Sequence, residues 1–232
     1  MLRITFMLMS LVAVVGVSAI ASTSAMAALH YNVCEKVTAG TGQWNNSECS
    51  ELGGAKSFAT KAVTTVLEVK GTVGISKLKT TIASTKVVII CKTGKVVGEI
   101  EGEGKSKATI TYENCELENE TTKEILTGCP VPNIKAVVAD RLTETSGLYE
   151  DEFIEEGKEF AKVVIEKCTL KGTFPVTGSQ KCMIPSGQAY RLDALLDCEP
   201  AGSSLKFNGS TTATYEGSAT LLLVDGNGWA PS

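Results

Sequence analysis

Eight cysteines constrain what this 232-residue chain can fold into more than any other feature of its sequence. They are Cys34, Cys49, Cys91, Cys115, Cys129, Cys168, Cys182 and Cys198, and no two lie closer than 14 residues. Structural zinc sites draw thiolates from closely spaced pairs, so this spacing argues against metal. An even count behind an export signal reads instead as four disulfides. Closing a loop the size of Cys34–Cys49 is worth about 3 kcal/mol on the chain-entropy account.

The export signal opens the chain. Arg3 precedes an apolar run over residues 4–21, and Ala25 and Ala27 occupy the small-residue positions of a cleavage site. The expectation is a signal peptide over 1–27, a cut before Ala28 and a secreted domain over 28–232. The alternative is an uncleaved anchor, because the run nearly reaches bilayer thickness. Gly16, Ser18, Ser22, Thr23 and Ser24, with no basic flank behind them, favour cleavage. Tyr-Asn-Val before Cys34 is no lipid-acceptor box, and the C-terminal WAPS carries no apolar tail. Release into solution, with no membrane attachment after cleavage, is expected.

Removing the leader takes the formal charge from −4 to −5, since Arg3 is its only charged residue. A mildly acidic chain without a basic stripe is a poor match for nucleic acid. What remains is long enough to bury one large core or two small ones.

Alternation with period two dominates the rest, and with it an all-β fold. Lys107 to Tyr112 alternates cleanly, and Arg191 to Cys198 puts Leu192, Ala194, Leu196 and Cys198 on one face. Lys86 to Cys91 is a continuous β-branched run, as in a strand covered on both faces. Further strands are expected over 62–69, 77–82, 133–139, 160–168, 203–208, 211–216 and 218–224. Short strands between Gly, Ser, Thr and Asn make an antiparallel sandwich or barrel, stapled by disulfides. Residues 147–160 partly fit a helix, but Gly157 interrupts it, and a hairpin turning near Glu156-Gly157-Lys158 is preferred.

An internal echo links KVVIIC (86–91) and NCELEN (114–119) to KVVIEKC (162–168) and DCEPAG (197–202). It divides the domain into related half-units, about 60–130 and 131–232, unless it is chance agreement between Lys- and Val-rich strands. If the echoed strands are neighbours, Cys91 pairs with Cys168. Short loops favour Cys34–Cys49, Cys115–Cys129 and Cys182–Cys198 for the others, although eight cysteines allow 105 connectivities.

Catalytic chemistry is thin. The only histidine, His30, sits at the start of the expected mature chain, a poor place to hold an imidazole against a nucleophile. Gly98 to Ser106 has one residue too many for a phosphate loop, and Glu99, Glu101 and Glu103 would repel phosphate. It reads as a Gly-rich strand and turn. Asp225-Gly226-Asn227-Gly228 reads as a turn rather than an ion loop. The sharpest charge feature is Glu150, Asp151, Glu152, Glu155, Glu156 and Glu159, opposed only by Lys158. Solvation on a hairpin face, Ca²⁺ ligation and paired-carboxylate hydrolysis are its three readings, in that order. Trp44 in the Cys34–Cys49 loop either caps the core or offers an exposed contact. No cofactor, metal or catalytic residue is assigned.

GTGQW followed by a cysteine, VVIIC, ITYENC and SLKFNGSTTATYEG…GNGW together resemble secreted, cysteine-containing β proteins of unknown function from high-GC Gram-positive bacteria. The resemblance implies export and a β fold and says nothing of mechanism. The leading expectation is therefore a non-enzymatic secreted or surface-associated β domain, with an extracellular or cell-envelope ligand. The runner-up is a carbohydrate-active hydrolase using acids of 150–159 with Asp193 or Asp197. A third is an inhibitor presenting the braced 34–49 loop.

Overall fold

A computed structural model describes residues 29–232, so the expected leader and its cut site lie outside the described residues. Among the described residues the chain is all strand and no helix. In order these are β1 (Tyr31–Lys36), β2 (Phe58–Ala62), β3 (Leu67–Val73), β4 (Ser76–Ile82), β5 (Thr85–Gly102), β6 (Lys105–Asn119), β7 (Ile134–Thr145) and β8 (Leu148–Glu155). They continue with β9 (Ala161–Ile165), β10 (Gly172–Thr177), β11 (Ser179–Met183), β12 (Ala194–Ser203), β13 (Lys206–Phe207), β14 (Thr211–Thr212), β15 (Thr214–Leu223) and β16 (Trp229–Pro231).

Eight of them close into an antiparallel barrel in the order β7-β6-β5-β3-β15-β12-β11-β8, with β8 returning to β7. Closure removes the unpaired edges that a flat sheet of this size would expose. Three of the hairpins turn on two residues with positive φ: Ala83-Ser84, Glu103-Gly104 and Ser146-Gly147. Two central residues with positive φ match the twist of the flanking strands. The barrel's tight curvature needs Gly71 on β3, where a Cβ would lie 2.4 Å from the Thr220 carbonyl oxygen.

β5 and β6 outrun the barrel. Their far ends, Thr85–Cys91 and Cys115–Asn119, join β4 in a second lobe that β9, β10, β13 and β14 complete from the β7 side. Val87, Ile89, Leu117, Val163, Ile165 and Phe207 fill it. A separate three-stranded sheet, β16-β1-β2, brings the two ends of the described chain together. It lies over the barrel with Tyr31 and Trp229 buried beneath it.

The disulfides are Cys34–Cys49, Cys91–Cys115, Cys129–Cys168 and Cys182–Cys198. The expected Cys91–Cys168 and Cys115–Cys129 bonds are replaced. Cys91 and Cys115 face each other directly across the β5–β6 hairpin, and residues 86–91 never neighbour 161–165. The half-unit argument that put the echoed strands side by side therefore fails.

Several strand expectations need correction as well. Residues 62–69 are split between the end of β2 and the start of β3, 203–208 between β12 and β13, and 211–216 between β14 and β15, while β15 runs unbroken from within 211–216 through 218–223. The hairpin turn lies at Ser146-Gly147, not at Glu156-Gly157-Lys158. There, β8 and β9 follow one another along the same side of β7, pairing Val138 with Glu155 and Ala136 with Ala161. Residues 156–159 loop out between them, while Glu156 and Phe160 both keep backbone bonds to Val137 and the Phe160 ring is buried.

Candidate functional site

Strand alternation decides which acids meet. On β7, Ala136, Val138, Asp140 and Leu142 point inward, and on β8 so do Tyr149, Asp151 and Phe153. Asp140 and Asp151 thus enter the barrel from adjacent strands at the level of the covering sheet. Tyr31 reaches down from β1 and donates its hydroxyl to Asp151 Oδ1 at 2.5 Å, lying 3.3 Å from Asp140 Oδ1. Ser106 on β6 donates to Asp140 Oδ2. One phenol between both carboxyls holds them within the ~4–6 Å over which like charges shift each other's titration.

The electrostatics follow from burial. Desolvation raises the Asp140 carboxyl to about 6, against the pull of the Ser106 and Tyr31 hydrogen bonds. Desolvation first, then repulsion from Asp140, holds Asp151 well above its ordinary value. Tyr31 is pushed well up by burial and by both acids, so its hydroxyl remains a donor. Burial and mutual proximity couple the two carboxyls and displace both upward.

The space beside the pair is small. A cavity of about 60 Å³ remains in the barrel, and another of about 40 Å³ lies in the second lobe. Small-molecule sites generally span about 300–1,000 Å³. Valines, Ile110, Phe153, Leu196 and Leu221 line the barrel cavity, with Tyr31 and Trp229 closing it. Tyr31 meets Trp229 edge-on at 5.9 Å between ring centres.

The other acids of 150–159 do not converge. Arg141 Nε and Nη2 donate to Glu152 Oε2 at 2.8 and 2.7 Å. Glu150 faces Lys181 at 3.7 Å, and Glu159 pairs with Lys162 at 3.0 Å. Glu155 accepts from the Gly178 backbone amide at 3.0 Å. The charge run is thus largely neutralised by bases brought from β7, β9 and β11. Asp193 is exposed and Asp197 half-buried, and both lie off the Asp140–Asp151 pair. Among the described residues no group of three or more His, Cys, Asp or Glu is placed to hold a metal ion.

The remaining candidates fall into place individually. His30 hydrogen-bonds through its backbone to Ser232. Gly98 to Ser106 is the end of β5, a two-residue turn and the start of β6, with Lys107 bridging Glu99 and Glu101. Asp225 accepts from the Asn227 backbone amide at 3.0 Å, an Asx turn. Trp44 is half-buried, bridging to Leu52 and Phe58 inside the Cys34–Cys49 unit.

Asp140 stood out from no motif, and Tyr31 and Ser106 entered only as part of the run before Cys34 and the end of the Gly-rich turn, although the signal was there. Asp140 and Asp151 each occupy the apolar phase of an alternating strand, where a solvated acid does not belong. Comparison with family models, curated proteins and solved structures finds no match to this chain.

Proposed function

We propose that the chain is a non-enzymatic, secreted β domain with a binding or structural role outside the cell or at its envelope. One observation supports this most: the converging carboxyls face the inside of a filled, capped barrel rather than a cleft. A glycoside hydrolase needs its two acids on opposite sides of a bound sugar, with room for water. Asp140 and Asp151 stand side by side beneath Tyr31, with about 60 Å³ beside them.

The exterior fits the same reading. Lys92–Glu116, Lys95–Glu113, Lys107–Glu101 and Arg141–Glu152 form cross-strand charge pairs on the outward faces. A barrel that crosses a membrane presents an apolar band there instead. Four disulfides, with no free cysteine among the described residues, are consistent with an oxidising compartment. The leader and the resemblance to secreted β proteins point the same way.

The test is to incubate the purified 28–232 chain with the isolated cell envelope of its source and, separately, with a panel of polysaccharides. The reading expects saturable co-sedimentation with the envelope and no new reducing ends. Reducing ends that appear with the parent chain and vanish with Asp151→Asn would establish the hydrolase instead.

A further inference from the structure

The covering sheet is joined to the barrel sparingly. Residues 29–63 and 226–232 form one unit, held by β16-β1-β2 pairing, by Cys34–Cys49, and by backbone bonds from Cys34 to Gly228 and from Gly228 to Ser47. All of these lie within the unit. Two chain crossings tether it, at 64–66 and 224–225, and Val66 and Val224 there are exposed. The backbone contact to the barrel side that we identify is the pair of bonds between Arg191 and Trp229. What seats the cap is the apolar set Leu29, Tyr31, Val33, Val63 and Trp229 packed into the barrel core, and the buried polar part of that seat is Tyr31 on Asp140 and Asp151.

We propose that the β16-β1-β2 sheet is a hinged cap latched by Tyr31 to the Asp140–Asp151 pair, and that deprotonation of the pair lifts the cap and uncovers the barrel interior. Adding charge to two buried carboxyls on adjacent strands sets them against each other and demands water. Lifting the cap admits water to both at once. The closed cap also leaves the indole N–H of Trp229, which lines the barrel cavity, buried without an acceptor, a cost that opening relieves. Burial already holds both acids above their ordinary values, so the change lies above the range in which solvated aspartates ionise.

The neighbouring elements supply no compensating cation. β5, β11, β12 and β15 present Ile100, Gln180, Leu196 and Leu221 to the cavity. The Gln180 amide is turned to the Lys181 and Glu199 carbonyls. Glu99 and Lys107 at the rim are paired with each other at 3.4 Å. His30, Glu101, Glu103 and Lys105 line a groove along the edge of the cap, outside the seal.

The chain's two tryptophans, Trp44 and Trp229, both belong to the cap, so indole emission reports on it alone. The experiment follows acrylamide quenching, far-UV circular dichroism and uptake of the neutral dye N-phenyl-1-naphthylamine between pH 5 and pH 9. Quenching and dye uptake should rise severalfold across this range while the far-UV spectrum holds. Asp140→Asn/Asp151→Asn should keep the pH 5 behaviour throughout, and His30→Gln should behave as the parent. Tryptophans equally shielded at both pH values in the parent chain would overturn the latch, whether or not the double variant folds. So would a transition that His30→Gln abolishes.

Discussion

Replacing Asp140 with asparagine should stabilise the protein at alkaline pH and leave it nearly unchanged in acid. The Asp140 carboxyl is raised from 3.8 to about 6 in the folded chain, chiefly by desolvation. A folded-state value above the unfolded one means the native state holds the proton more tightly. Its contribution to stability is complete below 3.8 and is lost as pH rises through about 6. At ~1.4 kcal/mol for each pH unit, the full loss by pH 8 is roughly 3 kcal/mol. Asparagine keeps the shape, its carbonyl can accept from Ser106 while its amide N–H faces the Tyr31 oxygen, and it never ionises. For a domain of this size the melting temperature at pH 8 should rise by roughly 5–10 °C. Calorimetry of both chains at pH 4 and pH 8 checks this. A variant less stable than the parent by the same amount at both pH values would refute it, since that would show a hydrogen-bonding loss without any burial cost of charge.

Non-reducing peptide mapping should recover Cys91–Cys115 and Cys129–Cys168, and a Cys91–Cys168 peptide would contradict the β5–β6 register. Removing Cys129–Cys168, which closes the longest loop at 39 residues, should cost about 4 kcal/mol in urea unfolding. Gly71→Ala forces a Cβ against the Thr220 carbonyl and should cost roughly 1–3 kcal/mol. Gly128→Ala, with nothing within 4 Å of the added carbon, should stay within about 0.5 kcal/mol by the same measurement. Millimolar calcium should leave the melting temperature unchanged, because the acids of 150–159 already face Arg141, Lys181 and Lys162. A rise that Glu152→Gln/Glu155→Gln/Glu156→Gln abolishes would restore a cation site there.

Local alternation carried the fold class. Ala194 to Cys198 alternates as read, with Ala194, Leu196 and Cys198 buried, although Leu192, beyond the strand, is exposed. In Lys107 to Tyr112 the apolar Ala108, Ile110 and Tyr112 line the barrel cavity, but only Tyr112 is buried. What local patterning could not supply is partnership between distant strands. β5 pairs with β3, β4 and β6 along its length, and this register, not loop length or internal echo, chooses Cys115 as the partner of Cys91. The 150–159 run misled for a related reason. Its neutralising bases come from other strands, invisible in a linear count of charge. Asp151 was hidden among five acids, although Tyr149 and Phe153 on either side mark its phase as the buried one. Tyr31 could not be placed at all without knowing that β1 and β16, at the two ends of the described residues, pair over the barrel.

The buried, coupled carboxyl pair is the pivot of the latch, and carbon-13 NMR of the Asp140 and Asp151 side-chain carboxyls tests it directly. Two coupled steps are expected as pH rises, one near 6 from Asp140 and one from Asp151 displaced well above the solvated range. Asp140→Asn should leave a single step from Asp151. Both carboxyls ionising together below about pH 4.5, as solvated aspartates do, would show the pair open to water and remove the basis for the sealed barrel and the latch alike.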